Sequence, residues 1–292
     1  LNGHDKAAEH PSGTFSAISM KPQLSNGGGL LSEAASEIHR YWYPLLALTR
    51  REIRKRYAKT LFGSLWTVLL PLAMLAIYLT VFGLILRAGQ TQAEAWDFAL
   101  NMLAGLLPFQ ALADGLHRAC LSLREDRSLL EREQFPGEVL AAARVLSASV
   151  AEVVGIILLF LAASFHSGQA SWLILVLPVV ILLRILFTVG LAWILSILSV
   201  FVADIAEVLA FVTTAWLFLT PIMYSPSALP DALVWTLAFN PLHHLVEMYR
   251  GIILHGHVDL ALPFIVSAWA LLSASIGAWF FRKSIERAKD FL

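Results

Sequence analysis

Residues 49–72 read TRREIRKRYAKTLFGSLWTVLLPL, and the stretch changes character halfway along. Arg50, Arg51, Arg54, Lys55, Arg56 and Lys59 crowd its first half, and no charged residue then follows until Arg87. An uncharged apolar run of about 20 residues is long enough to cross the hydrocarbon core of a bilayer. Lys and Arg beside such a run hold their flank on the cytoplasmic face. The stretch therefore reads as the cytoplasmic edge of a first membrane span.

The rest of the chain agrees with a membrane setting. Of 292 residues, 58% are hydrophobic and only 14% charged, and the mean hydropathy is +0.70. A soluble domain carries about a quarter charged residues. The formal net charge is zero, so no basic excess points to a nucleic-acid partner. The single cysteine, Cys120, excludes an internal disulfide. Apolar runs predict six spans, at about 61–86, 97–117, 139–164, 172–200, 205–224 and 262–281. Of the 21 Lys and Arg residues, 17 fall before the first span, between the second and third, or after the last; the opposite-side segments hold two, Arg87 and Arg250. That asymmetry predicts both termini on the cytoplasmic side.

Three segments flank or interrupt this plan. Residues 1–31, rich in Ser, Gly, His and Ala, read as a disordered cytoplasmic tail. Residues 32–60 mix Tyr41, Trp42, Leu45, Leu46, Leu48 and Ile53 with the basic cluster, the pattern of an amphipathic helix lying in the membrane interface, bent or divided at Pro44. Residues 225–261 hold three prolines and no strong span. They predict two short helices, at about 231–239 and 242–254, that dip into the outer leaflet, where irregular backbone needs protein or a watery cavity to satisfy it.

Chemistry inside the apolar segments is sparse. Glu152 and Arg184 lie at equal distances, 13 residues, from the loop joining the third and fourth spans. In an antiparallel hairpin they share a depth, and charges there are expensive unless paired; they are predicted to pair. Asp114 and Arg118 have the i,i+4 spacing of a second pair. Tyr78, Phe82, Trp216, Phe218 and Tyr224 suit either an aromatic belt and core packing or a ring on which sugars stack. His255, His257 and Asp259 offer half a metal site at most, and no metal ligand set is assigned. No G-x-x-x-x-G-K-[ST] phosphate loop occurs, so ATP is not expected to bind this chain through one.

Several motifs fall in a fixed order: the basic junction quoted above, LLPFQALADGL at 106–116, LLEREQFPGEVL at 129–140, LSVFVADIAEV at 198–208, FLTPIMY at 218–224, NPLHHLVEMYRGIIL at 240–254 and RKSIERAKDFL at 282–292. Together with the six-span plan they resemble the ABC-2 type polysaccharide exporter permeases, the transmembrane subunits that export O-antigen, capsule and teichoic-acid polymers. Ala203 departs from the pattern, standing where the family commonly has Arg before Asp204.

The resemblance implies an all-α membrane protein over 61–292 that hydrolyses nothing itself. It implies a homodimer with two copies of a separate ABC ATPase, which binds ATP and Mg, and no cofactor in this chain. Residues 119–137 would include the coupling helix that seats in the ATPase, with Arg124, Glu125, Asp126, Arg127, Glu131 and Arg132 at the contact. Arg50, Arg51, Arg54 and Arg56 are candidates for the diphosphate of an undecaprenyl-linked glycan. The glycan would pass the five aromatic residues, and residues 231–254 would form the outer gate. Two rival functions are an ABC-2 permease for a drug or small lipid, and a membrane-embedded glycosyl- or acyltransferase. The second lacks the clustered carboxylates or histidines that such chemistry needs.

Overall fold

The computed structural model describes residues 29–57, 60–81, 92–131, 135–168, 171–226 and 229–292. The chain divides into two compact units, 1–40 and 41–292. In the first, the described residues 29–40 are helical, and most of the expected tail lies outside the described residues. The second holds everything that follows, and among the described residues it contains helices and turns but no strand.

Helix α1, Gly29–Tyr57, runs through Pro44 without being divided there. No division occurs there, because Leu45 and Leu48, on the turn after the proline, are packed into an apolar cluster with Leu123, Val139, Leu140, Ile197, Val200 and Phe281. Packing of this kind stabilises a helix more than the single hydrogen bond that proline removes. Arg54, Lys55 and Arg56 occupy its last turn, where cations oppose the negative end of the helix dipole.

After a turn containing Gly63 comes α2, Trp66–Thr80, then α3, Gln92–Cys120. Two single-turn helices follow, α4 at Ser122–Glu125 and α5 at Arg127–Leu130. The long helices α6, Glu138–Ser167, and α7, Leu177–Phe201, form a hairpin. The shorter α8 spans Ile205–Leu219. Two short helices, α9 at Asp231–Ala238 and α10 at Pro241–Arg250, are followed by a π turn, Gly251–His255. The chain closes with α11, Ala261–Phe291.

Among the described residues, four helical segments are long and apolar enough to cross a membrane: Trp96–Cys120, Glu138–Ser167, Trp172–Phe201 and Ala261–Phe291. At about 1.5 Å per residue, 15-residue helices such as α2 and α8 reach about 22 Å, short of a hydrocarbon core of about 30 Å. Helix α3 is the central element, shielded at nearly every position from Ala99 to Leu112. Helices α7 and α11 approach most closely at Gly190, Ser273 and Gly277. A Cβ at Gly190 would collide with the Ser273 backbone, and one at Gly277 with the Gly190 carbonyl. Small residues at such crossings let backbones meet where lipid supplies no hydrophobic drive for association.

Candidate functional site

The basic end of α1 lies against α3, α4, α6 and the break before α5 through a network of charges centred on Glu52. This carboxylate is only 2% exposed. Its Oε2 is 2.7 Å from Arg144 Nη1 and 3.3 Å from Arg118 Nη2. Its Oε1 is 3.3 Å from Arg51 Nη2 and 3.6 Å from Lys55 Nζ. A second carboxylate, Asp126, sits in the break between α4 and α5. It accepts hydrogen bonds from Arg51 on one oxygen and from Arg144, at 2.8 Å, on the other. Glu125 also reaches Arg144, at 2.9 Å. On α3, Asp114 receives Arg56 at 2.8 Å and has Arg118 at 3.8 Å. Buried charges require partners. Here five cations and four carboxylates pair with one another across segments that are far apart in sequence.

Burial alone would raise the Asp126 carboxyl, but the hydrogen bonds and charges of Arg51 and Arg144 outweigh it and hold the group below its usual range. The four predicted phosphate-binding arginines therefore divide into two kinds. Arg51 and Arg56 are engaged with Asp126 and Asp114. Arg50 and Arg54 are exposed and form no ion pair among the described residues.

The segment expected as a coupling helix is two single turns that break at Asp126. Leu123 and Leu130 face the apolar cluster. Arg124 donates to the Val200 carbonyl at 3.3 Å. Arg127 and Glu131 form an exposed pair at 2.9 Å. Glu125 is half exposed, and Arg132 lies outside the described residues.

In the middle of the α6–α7 hairpin, Arg184 forms an ion pair with Glu152, both wholly shielded from solvent. Arg184 also donates to Ser149 Oγ at 2.6 Å. The other carboxylate oxygen of Glu152 accepts the Tyr249 hydroxyl at 2.8 Å, so α10 is attached to the hairpin as well. Nearby, the buried Arg250 donates to the carbonyls of Asn101 and Ile222 and pairs with Glu247 at 2.9 Å. The segment after α8 is thereby fastened to α3.

A groove of about 350 Å³ runs between α2, α3 and α6, lined by Arg56, Asp114, Gln110, Phe109, Tyr78 and Glu152 among apolar neighbours. Because α2 and α3 run antiparallel, Arg56 and Asp114 mark one end and Tyr78 the other. Phe82, the second aromatic predicted on this helix, lies outside the described residues.

Trp216 turns into the bundle. Its ring meets Phe187 edge to face at 6.3 Å, and its Nε1 donates to Asn240 Oδ1 at 2.9 Å. Asn240 in turn caps α10 by accepting from the Leu242 amide at 3.1 Å. Trp216 also lines an apolar hollow of about 420 Å³ shared by α7, α8 and α11. Phe218 is 62% exposed, and the Tyr224 hydroxyl donates to its carbonyl at 2.9 Å, closing the end of α8. Tyr78 and the α8 aromatics thus stand on different elements. Asp259 accepts from the Ala261 amide at 3.0 Å, just before α11. No group of three metal-ligating side chains occurs among the described residues.

Sequence reasoning missed Glu52, Arg144 and Tyr249 as partners. Only the improbability of Arg144 inside an apolar run could have pointed to one of them.

Several long apolar helices and a buried charge pair inside a hairpin define a multi-pass membrane protein. The chain belongs to the ABC-2 type transporter family, which matches residues 43–254. It is similar to the O-antigen export system permease protein RfbA of Myxococcus xanthus, at 27% identity over 80% of this chain and 88% of the relative. The RfbA permease of Klebsiella pneumoniae is 23% identical over 85% and 94% of the two chains. The polysialic acid transport protein KpsM of Escherichia coli is 28% identical over 73% and 82%.

Proposed function

We propose that this chain is the transmembrane subunit of an ATP-driven exporter that carries an undecaprenyl-diphosphate-linked polysaccharide, O-antigen-like or capsular, across the inner membrane. The observation that carries the reading is near full-length similarity to permeases named for O-antigen export, which cover 85% of this chain and 94% of the relative. Two copies would enclose the path, and two copies of a separate ATPase would bind ATP and Mg; this chain would hold no cofactor. In this reading α2 and α8 complete six spans, both termini are cytoplasmic, and the α1 interface helix lies among lipid head groups. The α4–α5 segment would receive the ATPase. Helices α9 and α10 would stand at the outer end as a gate. A second copy would bring Tyr78 of one protomer and Phe218 and Tyr224 of the other toward a shared lumen, where aromatic faces suit sugar rings. Arg50 and Arg54, exposed on α1, would meet the lipid diphosphate first.

The test is depletion of the protein in its native cell, followed by localisation of the polysaccharide. The expected outcome is lipid-linked glycan accumulating inside while the surface loses it. Polymer that still reaches the surface would refute the reading and favour a small-molecule permease.

A further inference from the structure

On α1, Ala47, Arg50, Arg51, Arg54 and Lys55 line an open hollow of about 490 Å³. Two i,i+4 pairs, Arg50 with Arg54 and Arg51 with Lys55, set four cations on neighbouring stripes of one helix face. Among the described residues no carboxylate lines the hollow. A phosphate group suits it: arginine forks match phosphate oxygens in paired hydrogen bonds, and two or more cations neutralise its charge.

Arg51 belongs to two sites at once. It lines the hollow, and it donates to Asp126 in the break between α4 and α5. Its Nε is buried and has no hydrogen-bond partner among the described residues, so part of the guanidinium is unused there. Asp126 does not depend on Arg51 alone, because its other oxygen keeps Arg144 at 2.8 Å. Arg51 can exchange one anion for another without leaving a bare buried carboxylate.

We propose that a phosphate group entering this hollow competes with Asp126 for Arg51, so that a loaded hollow removes the ionic tie between α1 and the α4–α5 segment and leaves only their apolar packing. The inference rests on the reading of the chain as an ATP-driven exporter, and it gives that exporter a way to sense its cargo. An empty hollow leaves α4–α5 latched to α1, and an occupied one loosens the segment that faces the ATPase. Phosphate could come from a polyprenyl head group, from bulk phospholipid or from solution. The chemistry is shared, so the experiment separates the sources.

The permease and its ATPase are reconstituted together in phosphatidylcholine vesicles, and ATP hydrolysis is measured with three probes in excess Mg: undecaprenyl diphosphate in the bilayer, phosphatidylglycerol in the bilayer, and inorganic diphosphate in solution. Undecaprenyl diphosphate is expected to raise the rate about fivefold or more, within the usual range of coupling between sites. The R50Q/R54Q double variant should lose that response. D126N, already unlatched, should hydrolyse ATP faster without any probe and gain little from one. Stimulation by phosphatidylglycerol or inorganic diphosphate alone would keep the competition and reassign the source of the phosphate. No stimulation by any probe, or a D126N complex with normal resting and stimulated rates, would overturn it.

A second measurement does not depend on D126N folding. Spin labels at Tyr43→Cys on α1 and Ser128→Cys on α5, both exposed positions, should show a broader distance distribution once undecaprenyl diphosphate is added. An unchanged distribution would also overturn the proposal. Export in cells distinguishes the two failures. If depletion strands glycan inside while no probe moves the ATPase, the latch is wrong and the exporter reading stands.

Discussion

Glu52 and Glu152 are equally buried, at 2% exposure each, and each faces arginine, yet they sit in different kinds of site. Glu152, on α6, is held by Arg184 of α7 and Tyr249 of α10, and although it borders the α2–α3–α6 groove, neither its side chain nor that of Arg184 is exposed. Glu52 shares its cations with Asp126, Asp114 and Glu125, and the edge of that network opens on the basic hollow through Arg51. Where every cation and hydroxyl partner is shielded, the charge acts as a strut. Where one partner borders solvent, the same chemistry becomes exchangeable. Burial of a carboxylate therefore says less about its role than the exposure of its cations does.

That contrast can be broken most sharply at the sealed site. Glu152→Ala leaves Arg184 buried and uncompensated, a loss of about 3–5 kcal/mol. The expected outcome is near-complete loss of monodisperse protein after detergent extraction, and the apolar double variant E152L/R184M should recover much of it. A single variant as stable as the parent would mean the pair is not a strut.

Next in size is Tyr249→Phe, which removes one hydrogen bond to a charged group, worth about 1.5–3 kcal/mol. It should lower the thermal midpoint with little change in the amount of protein inserted. Acidification tests the open network. The native Asp126 carboxyl is held low, so its contribution to stability is complete above the ordinary carboxylate range and is lost as pH falls through the depressed native value. The thermal midpoint should drop on acidification below that range, less steeply in D126N. The smallest effect is expected for Arg127→Ala, where an exposed i,i+4 pair is worth at most about 0.5 kcal/mol.

The long apolar helices were legible because composition and length alone set them. The level shared by Glu152 and Arg184 was legible because a hairpin makes depth a matter of counting residues. Tyr249 was not, since its contact with Glu152 joins residues 97 apart and no periodicity encodes such a meeting. The Glu52 network escaped for the same reason: a basic cluster read as a topological anchor conceals the one acid within it. Trp216 could be read from sequence as either a belt or a sugar platform, and neither reading could reveal Asn240 waiting for its indole. Pro44 predicted a bend or a division of α1; the helix runs on undivided, with Leu45 and Leu48 packed beyond it.

The Glu152–Arg184 pair also bears on how the protein is made. Entering a membrane alone, a charged side chain at mid-helix costs about 2.5–3.5 kcal/mol even by the mildest scale. Helix α6 is synthesised first and carries an acid; α7 follows a few residues later and carries the base. If the two cross together, the charges neutralise each other on the way in and neither helix bears its penalty unshared. Tyr249 emerges much later and closes a hairpin already in place. The pair thus makes joint insertion of α6 and α7 less costly than insertion of either helix alone.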